Sequence, residues 1–454
     1  MKKALSVLLA MTTAVGLLAG CGGGSEKSDR VEVRVVTNER STMDVMQRLV
    51  DEYNNTNDKN IYINYECKDD SIEDYVKTSY TSKNPPDIHT VNITMGREAG
   101  WYRAFPDELV QECQENFVEG SMADPDKKGK YYSVGLTAGG AQKLLYNKDL
   151  FKECGLDPEK PPKTFDEMRE YAKIITEKGG GTKYGFAMPL KDDIFVRYYL
   201  MIPGAPSGLY NRDGFVPTEN NYDYTIYSKM IGFMRNVIAD GSVFPTPYTL
   251  DNDTARAQFS EGNVGMIYGA AWDVGVYNDQ FPAKCDWGIA EFPVFDELKG
   301  GYPYGVASPG KWVMSSMSKH QDEQLEVYKW LISEDVAKVL LQENAITAST
   351  LKSLQNEIPE GKKKGAVEFA KRVYPLFKLD EPIEPDGLKI EGDDRYTTMK
   401  NILLDSSMDI DSELQKLTDK YNAAMEVWKD TQTKKGNDPE KNHVPDWSFV
   451  VEHE

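Results

Sequence analysis

The sequence VEVRVV at residues 31–36 begins the part of the chain that decides the fold. Its alternating and then continuous apolar residues predict a β-strand. A helical apolar pattern follows at residues 43–54, a second strand at 61–65, a second helix at 71–79 and a third strand at 86–91. Because strands alternate with helices, the chain predicts an α/β fold class in which a parallel sheet is connected by right-handed crossovers.

Polar residues follow the first and the third of these strands. Asn38, Glu39 and Arg40 come directly after the first strand, and Asn92 and Thr94 come after the third. Ligands of open parallel sheets bind beyond the carboxyl ends of the strands, so we predict that these residues bind a ligand. The loop after the first strand could instead cap the helix that follows it.

The N-terminus has the pattern of an export signal. Lys2 and Lys3 precede an apolar run of about fifteen residues, which is typical of a signal peptide and too short for a membrane-spanning helix. The sequence LAGC at residues 18–21 resembles the cleavage box of bacterial lipoprotein signals, in which the cysteine becomes the new N-terminus and carries lipid. An ordinary secretory peptide that precedes a cysteine by chance is the alternative.

These features predict how the chain is anchored. Residues 1–20 are expected to be the signal peptide and residues 21–29, rich in glycine and serine, a flexible linker lipidated at Cys21. The expected location is the outer face of the cytoplasmic membrane, outside the cell.

Composition describes an ordinary globular chain of two or three domains. The 454 residues are 40% hydrophobic and 28% charged, with a net charge of −20. This negative charge opposes binding to nucleic acid. The spacing of the remaining cysteines is not that of a zinc site, and we expect four unpaired thiols, namely Cys67, Cys113, Cys154 and Cys285.

One long segment carries a family resemblance. Residues 146–180 read YNKDLFKECGLDPEKPPKTFDEMREYAKIITEKGG, in which Thr164 and Glu167 form a capping box for a helix that ends near Lys178. This segment strongly resembles the one that links the first lobe to the second in bacterial extracellular solute-binding proteins of the carbohydrate, maltodextrin-binding-like type.

Three later segments are similar to parts of the same family, in the family's order. They are residues 255–273, 315–334 and 408–430. The last of them predicts an amphipathic helix with Leu414, Leu417, Tyr421, Met425 and Trp428 on one face.

The resemblance implies a two-lobed periplasmic-binding-protein fold. In that fold each lobe is a mainly parallel sheet flanked by helices, the chain crosses between the lobes at hinges, and the ligand is bound between them. Matching the segments places residues 30–144 and 290–331 in lobe 1, and residues 145–289 and 332–454, including the C-terminal tail, in lobe 2.

The resemblance also implies further ligand contacts. Trp272 and Asp273 match a family loop that carries a tryptophan, which suits the apolar face of a sugar ring. Asp192 and Asp193 follow a strand of the second lobe where relatives contact ligand, and Trp312 lies near the third crossover. Trp272 could instead be a core residue.

The common motifs of catalysis and metal binding are missing from the sequence. It contains neither Gly-x-Ser-x-Gly nor His-Glu-x-x-His, and its four histidines are scattered. Asp192, Asp193, Asp251 and Asp253 lack the spacing of an EF-hand loop, so we expect solvated acids and no metal. No cofactor is expected.

Two hypotheses about function are consistent with the sequence. The first is a lipid-anchored, monomeric binding protein that captures an extracellular mono- or oligosaccharide in the interlobe cleft and delivers it to the permease subunits of an ABC importer. The alternative is an exported polysaccharide-degrading enzyme that uses the same cleft, since the chain has many carboxylates and such an enzyme needs one pair of them at a set separation. The absence of a catalytic motif and the family resemblance favour the binding protein.

Overall fold

The structure is a computed structural model of the chain. It describes residues 30–68, 72–90, 96–97, 99–118, 121–122, 125–126, 128–137, 142–191, 193, 195–209, 212–298, 312–354, 357, 360–370, 385 and 388–440. The predicted signal peptide and linker, including Cys21, lie outside the described residues.

The described residues form two larger sheets and one hairpin. In chain order the strands are β1 (Val31–Thr37), β2 (Ile61–Cys67), β3 (Ile88–Thr90), β4 (Gln142–Asn147), β5 (Tyr184–Phe186), β6 (Phe215–Val216), β7 (Asn221–Tyr222), β8 (Val264–Ala270), β9 (Trp287–Ala290) and β10 (Trp312–Met314).

Helices surround these sheets. The α-helices are α1 (Met43–Thr56), α2 (Ile72–Thr81), α3 (Asp107–Asn116), α4 (Lys148–Glu153), α5 (Phe165–Lys178), α6 (Ser228–Ala239), α7 (Asn252–Ser260), α8 (Asp273–Gly275), α9 (Gln321–Leu331), α10 (Glu334–Gln342), α11 (Ala366–Ala370), α12 (Arg395–Leu404) and α13 (Ile410–Lys434). Short 3₁₀ and π segments include Arg40–Thr42, Phe195–Leu200 and Val276–Gln280.

The first sheet has the strand order β10-β3-β1-β2. Strand β1 is parallel to both of its neighbours, with Val31 opposite Ile61 and Val35 opposite Ile88, which confirms the predicted parallel arrangement. Strand β10 adds to β3 in the antiparallel direction. Helices α1 and α2 are the crossovers, as the alternating pattern predicts.

The second sheet has the order β5-β8-β4-β9 and is mixed rather than mainly parallel. Strand β5 is parallel to β8, whereas β4 is antiparallel to both β8 and β9. The expectation of a mainly parallel sheet is therefore wrong for this lobe. The physical reason is the direction in which β4 crosses the sheet. Its first residue, Gln142, lies opposite Ala270, the last residue of β8, so the two strands run in opposite directions.

The local signals of the predicted helices are confirmed. Thr164 Oγ1 accepts from the backbone N–H of Glu167 at 3.1 Å, and the Glu167 carboxylate accepts from the N–H of Thr164, so α5 begins with a complete capping box. In α13 the predicted apolar face is buried along its whole length. The four thiols are free, as expected.

The predicted division into lobes stays a prediction, but the packing departs from it in one segment. Helix α10 and residues 346–354 pack in the core of the first sheet with Val33, Val35 and Ile88, although sequence matching placed residues 332–354 in lobe 2. Isolated bridges join Phe117 to Leu351 and Thr137 to Ser349. The apolar face of α10 is buried against the first sheet. Sequence matching alone does not show which of the two sheets a helix covers.

Residues 361–365, the bridging segment, connect the two cores. The backbone N–H of Lys363 donates to Asn344 Oδ1 at 2.8 Å, just beyond α10 of the first core. The next residue is tied to the second core, because Lys364 N–H donates to Asn278 Oδ1 at 3.1 Å and Lys364 C=O accepts from Asn278 Nδ2 at 3.0 Å. Successive residues are thus held by different lobes.

No helix among the described residues is long and apolar enough to cross a membrane.

Candidate functional site

The loop after β1 meets the loop after β8 where the two lobes face each other. Gly275 in α8 lies so close to the first lobe that a Cβ placed on it would be 3.5 Å from Ser41 Cβ and 3.6 Å from Ser41 Cα. The carboxyl ends of β1 and β8 therefore face a common boundary, which is where ligands of α/β sheets bind.

The polar groups of the loop at Asn38–Arg40 hydrogen-bond to the neighbouring strand and do not cap the helix that follows. Asn38 N–H donates to Thr90 Oγ1 at 3.2 Å, and that hydroxyl donates to Asn38 Oδ1 at 3.0 Å. The side chains of Glu39 and Thr42 make no capping hydrogen bond to the helices that follow. Asn38 and Arg40 are exposed at the boundary and Glu39 is partly exposed.

Trp272 lies two residues after the end of β8 and is half-buried. Its ring stands edge-on to Tyr198, with the centroids 6.2 Å apart and the planes at 78°. Tyr198 belongs to the π segment Phe195–Leu200 and carries the Arg197 guanidinium 5.4 Å from its ring centroid. An indole beside a phenol supplies apolar faces next to polar groups, as in carbohydrate pockets.

A chain of ion pairs crosses from the first lobe into the second. Arg40 Nη1 lies 3.5 Å from Asp253 Oδ2, and the other oxygen of Asp253 is 3.2 Å from Arg256 Nη1. Arg256 Nη2 lies 2.7 Å from Asp273 Oδ1. Two arginines therefore alternate with two carboxylates, and their charges balance.

The inner end of this chain is buried. Asp273 is 1% exposed, and its Oδ2 accepts from the backbone N–H of Ala270 at 2.7 Å, which fixes the turn that leaves β8. Burial raises the pKa of Asp273, and the positive charge of Arg256 opposes that rise. Asp273 thus organises the loop that carries Trp272, and its contact with ligand stays a prediction.

The other predicted residues are more dispersed. Asp193 lies 2.6 Å from Lys400 Nζ in α12, and Trp312 is buried in the core of the first sheet. Asn92, Thr94 and Asp192 lie outside the described residues. Their roles as ligand contacts stay predictions.

Sequence reasoning missed Arg256 and Tyr198. Arg256 follows Asp253 by three residues at the start of α7, a spacing that places both on one helix face and could have indicated an ion pair. Tyr198 lies in a π segment for which the sequence shows no helical apolar pattern, so no signal could have placed it beside Trp272.

The described residues contain no group of three or more His, Cys, Asp or Glu side chains that could hold a metal ion. In place of a calcium cluster, Asp251 caps α7 by accepting from Thr254 N–H at 2.8 Å and pairs with Lys191 at 3.3 Å.

The chain is similar in sequence to several curated binding proteins. A protein of Brucella abortus (strain 2308) named as a binding protein is 26% identical over 230 residues, which are 50% of this chain and 52% of that protein. The sn-glycerol-3-phosphate-binding periplasmic protein of Salmonella typhimurium (strain LT2) is 27% identical over 179 residues, 39% of each chain. The chain spans about half the length, or less, of these relatives.

Solved structures share its fold. The maltose/maltodextrin-binding domain of Bdellovibrio bacteriovorus bound to maltotriose has a TM-score of 0.67 at 16% identity, covering 87% of this chain and 100% of that one. The GacH receptor of Streptomyces glaucescens, solved unliganded and with acarbose, has a TM-score of 0.64 at 16% identity, covering 87% and 98%. The fold is accordingly the two-lobed periplasmic-binding-protein fold.

Residues 37–338 match the profile of the bacterial extracellular solute-binding protein family. This match covers more than half of the chain, from the end of β1 into α10. Members of the family bind solutes and are not enzymes. The chain therefore belongs to the bacterial extracellular solute-binding proteins and is a binding protein rather than a polysaccharide-degrading enzyme.

Proposed function

We propose that this protein is the substrate-binding component of a carbohydrate ABC importer and binds a mono- or oligosaccharide between its lobes. The observation that carries the proposal is the half-buried Trp272, edge-on to Tyr198, at the boundary where Ser41 and Gly275 bring the lobes together. Aromatic faces beside charged and amide groups suit the alternating C–H and hydroxyl faces of a sugar.

The structural relatives support this ligand class. They include proteins described with maltotriose, with raffinose and with acarbose, all of which are saccharides or resemble them. Since their sequence identity to this chain is below 20%, they support the class of ligand and do not single out one sugar.

An anionic polyol is the second candidate, because several sequence relatives are named for sn-glycerol-3-phosphate. The charges at the lobe boundary favour a neutral ligand instead. Arg40 and Arg256 are both paired with carboxylates there, so an incoming phosphate would have to compete with Asp253 and Asp273.

A thermal-shift screen tests the proposal. The purified protein is titrated with neutral oligosaccharides and, in parallel, with sn-glycerol-3-phosphate and sugar phosphates. A ligand at one hundred times its Kd adds about 2.7 kcal/mol to the free energy of unfolding and therefore raises Tm measurably. We expect shifts with neutral saccharides. Shifts confined to the phosphates would instead establish the anionic candidate.

Delivery to permease subunits fits a monomer held at the membrane by the lipidated Cys21, outside the cell. A lipid chain attached to Cys21 would keep the protein on the outer face of the cytoplasmic membrane while residues 21–29 let it reach the permease. In the producing bacterium, Cys21→Ser should move the protein from the membrane fraction to the medium or periplasm, while the wild type stays membrane-bound. A variant that remains in the membrane fraction would refute the anchor.

A further inference from the structure

We propose that the side-chain oxygen of Gln142 accepts a hydrogen bond from a hydroxyl group of the bound ligand, and that it makes the site selective for a sugar with a free hydroxyl at that position. The inference rests on the proposed function and adds a residue that neither the sequence pattern nor the ion-pair chain identifies.

The position of Gln142 follows from strand register. It is the first residue of β4, and it lies opposite Ala270, the last residue of β8. Trp272 follows two residues later and α8, which contacts Ser41 of the first lobe, comes directly after it. Because β4 and β8 are antiparallel, Gln142 lies at the end of the sheet that faces the other lobe.

The side chain points to the aromatic face of that sheet. Successive residues of a strand alternate between faces, so Gln142 shares a face with Leu144 and Tyr146. Both belong to the large core that contains Tyr268 and Tyr199. Gln142 is thus the polar end of an otherwise apolar row, two residues in register from the loop that carries Trp272.

Gln142 is 4% exposed, and within the part of the chain that the structure describes its Oε1 has no hydrogen-bond partner. The two other buried polar side chains of β4 are paired: Lys143 with Glu291, and Asn147 with the N–H of Leu150 at 2.9 Å. A buried acceptor left without a partner destabilises a protein, because it has lost its hydrogen bonds to water and gained none in exchange. Gln142 Oε1 lies without a partner among the described residues, at the end of the sheet that faces the other lobe. A hydrogen bond donated by a bound ligand would explain why this destabilising arrangement is kept.

The chemistry of this atom limits the ligand. An amide oxygen only accepts hydrogen bonds, so its partner must be an O–H or N–H group. A sugar hydroxyl meets this requirement, whereas an ionised phosphate or carboxylate does not. A site of this kind discriminates against an analogue that lacks the hydroxyl, because the buried acceptor is then left unpaired.

Gln142→Met tests the proposal, because methionine keeps the size of the side chain and removes the acceptor. Without ligand, the urea midpoint of Gln142→Met should equal or exceed that of the wild type, since an unpaired buried acceptor is lost. Its affinity for the saccharide that stabilises the wild type should be about tenfold weaker by calorimetry.

Gln324→Met is the matched control. Gln324 is also fully buried, but its Nε2 donates to the carbonyls of Asp87 and Ser315 at 2.7 and 2.9 Å, and its Oε1 accepts from Arg103 at 3.1 Å. This variant should have a lower urea midpoint and unchanged affinity, the opposite pattern.

Three outcomes would overturn the inference. If Gln142→Met binds the saccharide as the wild type does, or loses stability as Gln324→Met does, the oxygen is structural and the proposed function survives. A wild-type protein that binds no saccharide overturns both the proposed function and this inference. Deoxy or O-methyl analogues of the saccharide give a second measure. The analogue that lacks the hydroxyl donated to Gln142 should bind the wild type as weakly as it binds Gln142→Met.

Discussion

At the scale of single residues, Trp272 gives the most direct test of the site. Trp272→Ala removes an apolar ring face, which should weaken saccharide binding by about 1 to 3 kcal/mol, or roughly fivefold to 150-fold in Kd. Stability should change little, because the ring is only half-buried. Calorimetry and a denaturant midpoint on the same variant measure both effects.

Trp330→Ala is the control for this change. Trp330 is also half-buried and packs against an aromatic ring, that of Tyr53, with the ring centroids 4.9 Å apart, but it lies on α9 and contacts the core of the first sheet. Its variant should lose some stability and keep its affinity. If Trp272→Ala instead keeps full affinity and shows a drop of about 3 to 5 kcal/mol in unfolding free energy, Trp272 is a core residue.

His89 makes stability depend on pH. Its ring is 0% exposed and lies 3.0 Å from the Tyr80 hydroxyl, and burial lowers the pKa of His89 to about 3. In the unfolded chain the pKa is near 6.5. Between these values only the unfolded state binds the proton, so the free energy of unfolding falls as pH drops from about 6.5 towards 3, by up to about 1.4 kcal/mol per pH unit from this group.

Substitution isolates this contribution. His89→Gln should show a shallower loss of stability between pH 6 and pH 4 than the wild type, measured from urea midpoints at each pH. His320→Gln, at an exposed histidine, should follow the wild-type curve. If the unfolding free energies of His89→Gln and the wild type fall equally between pH 6 and pH 4, the prediction is wrong. His89 would then bind its proton as readily in the folded protein as in the unfolded chain.

At the scale of elements, the bridging segment offers a test of backbone strain. Gly365 has φ of +88°, and a Cβ there would lie 2.6 Å from Trp287 Cη2 and 2.9 Å from Ile289 Cδ1. Gly365→Ala should destabilise the protein by more than about 1 kcal/mol, because the positive φ and the steric clash act together. Urea midpoints measure the loss.

Gly436→Ala separates the two causes. Gly436 has φ of +72°, but no atom of the described residues lies within 4 Å of the point that an added Cβ would occupy. Its variant should show only the conformational cost, and the excess loss in Gly365→Ala then reports the packing against Trp287. Equal losses of stability in Gly365→Ala and Gly436→Ala would mean that the bridging segment shifts away from Trp287 without an energetic penalty.

Sequence patterns predicted the elements whose signals are local. Strands β1 to β3, the capping box of α5 and the buried face of α13 all follow from periodicity or from residues three positions apart. The structure shifts the ends of these elements by a few residues, since sheet pairing and packing, not local pattern, determine where an element ends.

Long-range pairing could not be predicted in the same way. The antiparallel direction of β4 and the return of α10 to the first core depend on contacts between residues far apart in the chain. The same limit applies to the candidate site: the loops at Asn38–Arg40 and Trp272 were identified, but the link from Arg40 to Asp253 and the unpaired oxygen of Gln142 emerge only when the lobes are assembled.

At the scale of the whole molecule, ligand binding should close the lobes. Among the described residues, the contacts that join them beside the candidate site, Arg40 to Asp253 and Ser41 to Gly275, are partly exposed. The bridging segment is instead held by both cores, because its backbone N–H groups donate to the side chains of Asn344 and Asn278. We therefore expect motion beside the candidate site and pivoting near the bridging segment and the predicted crossovers at Leu144 and Ile289. The third predicted crossover, at Leu331, is not expected to pivot, because Ile332 and Val336 beyond it still pack in the first core.

Small-angle scattering measures this motion. A saturating saccharide should reduce the radius of gyration, and a saccharide that does not bind should leave it unchanged. Since the pair of Arg40 and Asp253 is exposed, higher salt should weaken it and favour the open form of the free protein. An unchanged radius with a bound ligand would indicate a rigid scaffold.

The return of the chain to the first core also determines when that core can form during synthesis. Strand β10 completes the first sheet beside β3, and Leu351 and Leu354 fill its core, although β3 itself ends at Thr90. A nascent chain that has emerged only as far as residue 300 therefore lacks an edge strand and two covering helices of its N-terminal lobe. Contacts of such long sequence separation slow folding, so the first lobe to be made is not able to finish folding before most of the second has been synthesised.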